Sequence, residues 1–177
     1  MGGHAPQPEG GNPSPWIVRF APLVAAGSRV LDLACGGGRH GRLFLQRGHP
    51  VTFVDRDLTG VADLRNSPDA ALVEADLEAA PWPLPDRQFA AVVVTNYLWR
   101  PLFPALLAAL APQGILLYET FMRGNERFGK PSSPDFLLVP GELYERCRDC
   151  CDILAFEQGE DAVPKPGMRQ RICAIKH

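Results

Sequence analysis

Short apolar runs alternate with amphipathic segments along the chain from residue 16 onward. The runs that predict strands lie at residues 29–33, 50–54, 70–74, 89–94, 114–121, 151–157 and 169–176. The amphipathic segments that predict helices lie at residues 16–26, 39–47, 57–66, 102–110 and 141–148. This order is typical of βαβ units, in which helices cover the faces of a mostly parallel sheet. The pattern therefore predicts an α/β fold with a doubly wound, mostly parallel sheet of seven strands.

The N-terminal residues do not share this alternation. Residues 1–15 are rich in Gly and Pro, so we expect a flexible tail there. Ser14 is a candidate N-cap and Pro15 suits the first position of the helix that follows. The remaining residues, 16–177, are expected to form a single domain.

Two internal segments are predicted to be loops. Residues 76–87 contain Pro81, Pro83 and Pro85, which exclude a regular helix from this crossover. Residues 122–138 are polar and contain glycine, and long loops of this kind in compact domains are often functional.

Composition narrows the class of protein. The 177 residues are 46% hydrophobic and 21% charged, which is typical of a soluble globular domain. The net charge of −2 gives no basic excess for gripping nucleic acid, and no apolar run approaches the roughly 20 residues that span a membrane. Five cysteines without a secretory signal predict reduced thiols in the cytoplasm. The sequence gives no prediction of oligomeric state.

A glycine-rich turn follows the first predicted strand. It contains Gly36, Gly37 and Gly38 just before a predicted helix, and such a turn lets the backbone approach a ligand closely. The spacing Gly36-x-Gly38-x-x-Gly41 also matches a dinucleotide fingerprint, in which Asp55 would be the acid that binds ribose. Asp32 favours a different ligand, because a carboxylate there repels a pyrophosphate and attracts an amino group or a sulfonium.

Asp32, Gly36 and Gly38 resemble the first motif of the class I S-adenosylmethionine-dependent methyltransferases, in which glycine usually occupies the position of Ala34. The resemblance implies a Rossmann-like methyltransferase fold, with S-adenosylmethionine as the cofactor. The cofactor-binding residues that it implies are Asp32, Ala34, Gly36, Gly38, Arg39, Asp55, Arg56, Asp76, Leu77 and Asn96. Asp55 would accept from the ribose hydroxyls and Asp76 from the adenine amino group, while Arg39 would reach the carboxylate of the donor. The alternatives are a surface role for Asp55 and Arg39 and a turn-capping role for Asp76.

The acceptor side is expected at the loops after the fourth and fifth strands. Asn96 and Tyr97 are candidates to line it, and Glu119 is the candidate general base or orienting carboxylate. Glu119 would otherwise pair with Arg123 or Arg127 and order the loop.

The Gly-Gly-Gly-Arg-His turn, the Pro-Trp-Pro-Leu loop and the Glu-Thr-Phe segment resemble the small bacterial tellurite-resistance-like methyltransferases. The best-known members of that group methylate tellurium and selenium oxyanions. The resemblance implies a methyltransferase whose acceptor is a small molecule.

Two other classes of function stay open. One is a dinucleotide-dependent oxidoreductase, and the other is a non-catalytic module that binds a nucleoside. Cys147, Cys150 and Cys151 lie close in sequence, but no second pair of ligands follows at a suitable spacing, so no metal is predicted.

Overall fold

The sheet in the computed structural model, which describes residues 11–163 and 165–177, contains seven strands. In chain order they are β1 (Val30–Leu33), β2 (Val51–Asp55), β3 (Ala70–Glu74), β4 (Phe89–Thr95), β5 (Leu110–Phe121), β6 (Cys151–Asp161) and β7 (Gly167–Lys176). Their order across the sheet is β3-β2-β1-β4-β5-β7-β6. Strands β1 to β5 pair in parallel, and β7 runs antiparallel to both β5 and β6. The predicted doubly wound, mostly parallel sheet is confirmed.

Burial explains why the central strands read as continuous apolar runs. All four residues of β1 are buried, as are the first four of β2. Parallel strands in the middle of a doubly wound sheet are covered on both faces, so neither face can be polar.

Four helices lie on the two faces of the sheet. They are α1 (Pro15–Phe20), α2 (Arg39–Gln46), α3 (Phe103–Ala108) and α4 (Glu142–Cys147). One face buries α1 and α2, with Phe44 packed near Phe53 of β2 in the same apolar cluster. The other face buries α3 and α4, with Leu106 and Leu143 in its cluster. The sheet therefore separates two apolar layers.

Two of the predicted helices are partly or wholly 3-10 helices. The helix predicted at residues 16–26 ends at Phe20 and continues as a 3-10 turn at Ala21–Leu23, because Pro22 has no N–H to donate to an α-helix. The helix predicted at residues 57–66 is a 3-10 helix at Thr59–Leu64. Gly60 lies so close to the glycine-rich turn that a Cβ there would meet the carbonyl oxygen of Gly36 at 2.9 Å.

The final strands are longer than the sequence indicated. The strand predicted at residues 151–157 extends to Asp161, and its partner begins at Gly167 rather than at residue 169. Pairing between β6 and β7 continues through polar residues that an apolar pattern does not predict to be in a strand. One of them is Glu160, which pairs with Met168.

The expected tail overlaps the folded domain. Residues 1–10 lie outside the described residues, so the flexible tail stays a prediction there. Ser14 is buried and its hydroxyl accepts from the N–H of Trp16, which confirms it as the N-cap of α1. Pro15 is the first residue of that helix.

The two predicted loops are present. Residues 76–87 form turns without a helix, and residues 122–138 contain only short 3-10 turns at Asn125–Arg127 and Pro134–Phe136. Within the described part of the chain, no helix has the length and apolar character needed to cross a membrane.

Candidate functional site

The turn after β1 is built from left-handed backbone. Ala34, Gly36 and Gly38 have φ of 53°, 52° and 72°. This conformation suits glycine and strains an alanine, so Ala34 adopts the backbone that the usual glycine would adopt. Gly38 is also the N-cap of α2, where a Cβ would meet Val61 at 2.5 Å. The turn therefore brings bare backbone to the carboxyl edge of the sheet.

Asp32 lies beneath this turn. Its side chain is only 2% exposed, and its Oδ2 accepts from the N–H of Gly41 at 2.7 Å. Burial raises the pKa of Asp32 to about 7, although the Gly41 bond opposes that shift and the charge of Asp55 adds to it. A cationic group placed beside Asp32 would therefore stabilise its ionised form.

Asp55 ends β2 directly beside the turn. Its Oδ2 accepts from the N–H of Gly36 at 2.8 Å, and its Oδ1 accepts from the N–H of Asp57 at 3.1 Å. Each carboxylate oxygen has a second lone pair, so Asp55 can still accept from a hydroxyl.

Asp76 follows β3 and caps a turn. Its Oδ1 accepts from the N–H groups of Glu78 and Ala79, as the turn-capping alternative predicted, while the side chain stays exposed. Leu77 is buried in the apolar layer of α3. Asp76 can therefore offer its other carboxylate oxygen to a ligand and cap the turn at the same time.

Tyr97 faces the same group of carboxylates. Its hydroxyl donates to Oε1 of Glu78 at 3.5 Å. Burial raises the pKa of Tyr97 well above its usual value, and the charges of Glu78, Asp76 and Asp55 raise it further. The structure thus places Tyr97 beside Glu78, two residues after Asp76.

Two arginines of the predicted site lie at its margin. Arg39, the first residue of α2, is half-buried, and its Nη1 donates to the carbonyl oxygen of Asn12 at 3.2 Å. Arg56 is exposed beside Asp57. Arg39 thus contacts the N-terminal segment, and the structure gives Arg56 no buried role.

Asn96 and Glu119 are neighbours at the ends of β4 and β5. The N–H of Asn96 donates to the carbonyl oxygen of Glu119 at 2.9 Å, and the backbone of Asn96 is left-handed, with φ of 53°. The exposed Oδ1 of Asn96 accepts from Nη1 of Arg169 at 2.8 Å. The two predicted acceptor residues therefore lie together, beside an arginine of β7.

Glu119 is held by a set of contacts that the sequence did not predict. It is 8% exposed, and its Oε2 accepts from the hydroxyl of Ser14 at 2.9 Å. The same oxygen lies 3.4 Å from Nε of Arg171, and Oε1 lies 3.9 Å from Nη1 of Arg169. The alternative pairing with Arg123 or Arg127 is wrong, because β7 supplies the cations instead.

Ser14 also connects Glu119 with His40. The N–H of Ser14 donates to Nε2 of His40 at 3.1 Å, so in the neutral ring Nδ1 carries the proton and donates to the hydroxyl of Thr95 at 3.2 Å. Burial lowers the pKa of His40 to about 3, and the charge of Arg39 acts in the same direction. His40 is therefore a neutral, fully bonded residue and not a free base.

The loop at residues 122–138 is fixed by buried polar anchors. Asn125 is 2% exposed, its Nδ2 donates to the carbonyl oxygen of Pro131, and its Oδ1 accepts from the N–H of Met168. Arg100 donates to the carbonyl oxygens of Asp135 and Leu137. The loop is thus tied to β7 and to the segment that follows β4.

Glu142 holds the guanidinium group of Arg100 in place. It accepts from Arg100, from Arg146 and from the N–H of Val139. Burial opposes its ionisation, but these bonds outweigh burial and lower the pKa of Glu142 to about 2.

The cysteines carry no visible reactive site. Burial raises the pKa of Cys35 well above its usual range, which is unfavourable for a thiolate in the glycine-rich turn. Sγ of Cys150 lies 3.7 Å from that of Cys151, and burial raises the pKa of Cys150 to about 11. Among residues 11–163 and 165–177, no group of three or more potential ligands is arranged to hold a metal ion.

The fold and the site together define a class of protein. A doubly wound sheet with a reversed β7, a glycine-rich turn after β1 and carboxylates at the ends of the next strands make a Rossmann-like methyltransferase fold. Residues 30–114 match the family model described as a methyltransferase domain. The match runs from β1 into β5 and includes the turn, Asp55, Asp76 and Asn96. The chain thus resembles the class I S-adenosylmethionine-dependent methyltransferases, whose cofactor is S-adenosylmethionine, as predicted.

Solved structures share this fold. TehB from Haemophilus influenzae aligns with a TM-score of 0.75 and 19% identity over 91% of this chain and 61% of its own. The Burkholderia thailandensis 1,6-didemethyltoxoflavin-N1-methyltransferase, with S-adenosylhomocysteine bound, gives 0.69 and 18% over 92% and 76%. A TehB-like S-adenosylmethionine-dependent methyltransferase from Corynebacterium glutamicum gives 0.62 and 20% over 99% and 90%. The chain spans less than two thirds of the length of TehB, and no curated protein matches it.

Proposed function

We propose that the chain transfers the methyl group of S-adenosylmethionine to a small molecule at the carboxyl edge of the sheet. The observation that carries this proposal is the position of Asp32 and Asp55 against the glycine-rich segment after β1, within a segment that matches a methyltransferase domain. Asp76 follows the neighbouring strand β3 at the same edge of the sheet.

The donor side is assigned residue by residue. Asp55 would accept from the ribose hydroxyls through its remaining lone pairs, and Asp76 would accept from the adenine amino group. The buried carboxylate of Asp32 would favour the ammonium group of the donor. Leu77 would lie against the base. We place Tyr97 on this side as well, because its hydroxyl donates to Glu78, two residues after Asp76.

The acceptor side is assigned to Asn96, Glu119 and Arg169. When bound, the donor supplies an electrophilic methyl group on a sulfonium, and transfer requires chiefly proximity and alignment. Asn96 would orient the acceptor through its exposed amide. Glu119 would orient it, or remove a proton from it, once the Ser14 hydroxyl releases the carboxylate.

A small acceptor is favoured over a macromolecule. The net charge of −2 gives no general attraction for nucleic acid. The Burkholderia neighbour is named as a methyltransferase of 1,6-didemethyltoxoflavin. The sequence resemblance to the tellurite-resistance-like methyltransferases adds a tellurium oxyanion to the acceptors to be tested. All five cysteines are free thiols, in keeping with a cytoplasmic location.

The first experiment is calorimetric titration with S-adenosylhomocysteine and, in parallel, with NADH. We expect binding of the former alone. Asp55→Ala should weaken it by about 1.5–3 kcal/mol, because the ribose hydroxyls lose an ionised acceptor, whereas Asp149→Ala, at a highly exposed carboxylate, should leave it unchanged. Equal affinity in the Asp55→Ala variant would contradict the assignment of the crevice, and binding of NADH alone would move the chain to the oxidoreductases.

The second experiment separates an enzyme from a non-catalytic binding module. Release of S-adenosylhomocysteine is followed across a panel of small amines, thiols, phenols and tellurite. Glu119→Gln should lower turnover and leave the affinity for S-adenosylhomocysteine unchanged. Tight binding with no turnover on any acceptor would favour the binding module.

A further inference from the structure

A cleft of about 350 Å³ opens at the amino ends of β1 to β4, on the edge of the sheet opposite to the glycine-rich turn. In a doubly wound fold, the crossover between β3 and β4 normally contains a helix that covers one face of the sheet. Here that crossover, residues 76–87, forms only turns. Thr52 and Ala71 are paired across β2 and β3 and line the cleft from the sheet. The absence of a helix in the crossover thus leaves part of the sheet open to a ligand.

Thr52 is an unusual residue for this position. It is 8% exposed on a strand whose neighbouring residues are apolar, and it is among the residues that line the cleft. Its side chain therefore adds a hydroxyl to the wall of the cleft. That hydroxyl can donate to or accept from an occupant.

Two cations flank the opening. Arg29 immediately precedes β1, and Arg87 lies two residues before β4. These two strands are neighbours, and the N–H of Ala90 on β4 donates to the carbonyl oxygen of Arg29. Both are exposed, and in the described part of the chain neither forms an ion pair. Asp69 is the one carboxylate among the lining residues, so the cleft carries a net positive charge.

We propose that this cleft binds a small anionic molecule. Arg29 and Arg87 would hold its carboxylate or phosphate group by charge-assisted hydrogen bonds, and the hydroxyl of Thr52 would bond it from the sheet. The volume suits a small metabolite. The site is separate from the proposed methyl-transfer site, because about 10 Å of strand separates Arg29 from Asp32 and Thr52 from Asp55.

The test is an NMR titration of the amide signals with inorganic phosphate and, separately, with citrate, at constant ionic strength. We expect saturable shifts of the Thr52, Ala71 and Gln88 amides with at least one probe. Saturation by phosphate alone would assign a phosphorylated ligand, and saturation by citrate alone would assign a carboxylate. The double variant Arg29→Gln, Arg87→Gln should weaken binding by about tenfold or more.

A matched pair of substitutions separates a built site from surface charge. Arg47→Gln with Arg65→Gln removes the same charge from exposed arginines outside the cleft and should leave the affinity unchanged. Thr52→Val keeps the shape of the side chain and should weaken binding with the rest of the spectrum unaltered. Shifts that rise linearly with both probes, or an equal loss in the Arg47 and Arg65 pair, would overturn the proposal.

Discussion

Two buried ionisable side chains at the site act on stability in opposite directions. The pKa of Asp32 is raised to about 7, so between about pH 4 and 7 the folded chain holds a proton there that the unfolded chain has lost. The pKa of His40 is lowered to about 3, so below about pH 6.5 the unfolded chain binds a proton that the folded chain excludes. The stability contribution of Asp32 falls as pH rises through this window, whereas that of His40 increases.

Asp32→Asn should remove the contribution of Asp32 to the pH dependence of stability and leave the opposite contribution of His40. Between pH 4.5 and 6.5 the free energy of unfolding of the variant, relative to wild type, should rise by about 1.4 kcal/mol per pH unit, and the difference should level off above pH 7.5. Urea denaturation across this range measures it. Asp149→Asn, at an exposed carboxylate, should show no such trend.

His40→Gln should show the mirror image. Gln can still accept from Ser14, but it does not titrate, so the variant should lose about 1.4 kcal/mol per pH unit relative to wild type between pH 4.5 and 6.5 as pH rises. The same denaturation series measures it, with His177→Gln at an exposed ring as the control. A variant that runs parallel to wild type would mean that His40 is protonated in the folded chain.

At the scale of elements, the loop at residues 122–138 depends on one amide. Asn125→Ala removes the bonds to Pro131 and Met168, so the free energy of unfolding should fall by about 1–3 kcal/mol. Limited proteolysis should then cut within residues 126–133 faster than in wild type. Asn66→Ala, at an exposed asparagine, is the control. Unchanged proteolysis of the Asn125 variant would show that other contacts suffice to order the loop.

Elements defined by local pattern could be predicted from the sequence. The strands and the turn at Ala34–Gly38 depend on apolar runs and on glycines that are adjacent in the chain, and both are confirmed. The anchors of the site depend on contacts between distant residues. Ser14 and Glu119 are 105 residues apart, and Asn125 and Met168 are 43 residues apart. No local sequence pattern therefore predicts either pair.

At the scale of the whole molecule, the segment before α1 joins three parts of the fold. Ser14 contacts His40 at the start of α2 and Glu119 on β5, and the indole N–H of Trp16 donates to the carbonyl oxygen of Ile172 on β7 at 3.2 Å. These bonds position the segment over the proposed acceptor residues. The proposed role of Glu119 would therefore place the acceptor beside the bond between the Ser14 hydroxyl and Oε2 of Glu119.

Ser14→Ala tests what the Ser14 hydroxyl contributes to stability and whether it affects donor binding. The variant keeps the backbone bond to His40 but loses the hydroxyl, so the free energy of unfolding should fall by about 1 kcal/mol through loss of the N-cap and of the bond to Glu119. The affinity for S-adenosylhomocysteine should stay unchanged, because the donor residues do not contact Ser14. Ser132→Ala, at an exposed serine, is the control for denaturation and calorimetry. A loss of donor affinity would place Ser14 in the donor site instead.

The position of β7 has a consequence for the chain as it is synthesised. β7 is translated after β6, yet it lies between β5 and β6, and β6 pairs with no other strand of the described sheet. On the ribosome, β1 to β5 can pair in parallel as they emerge. Residues 151–161 emerge before β7, so they have no strand to pair with until β7 leaves the exit tunnel. During that interval the free edge of β5 and the apolar residues of β6 are open to strands of other nascent copies. Emergence of β7 is therefore the step that pairs the free edge of β5 and gives β6 its partner.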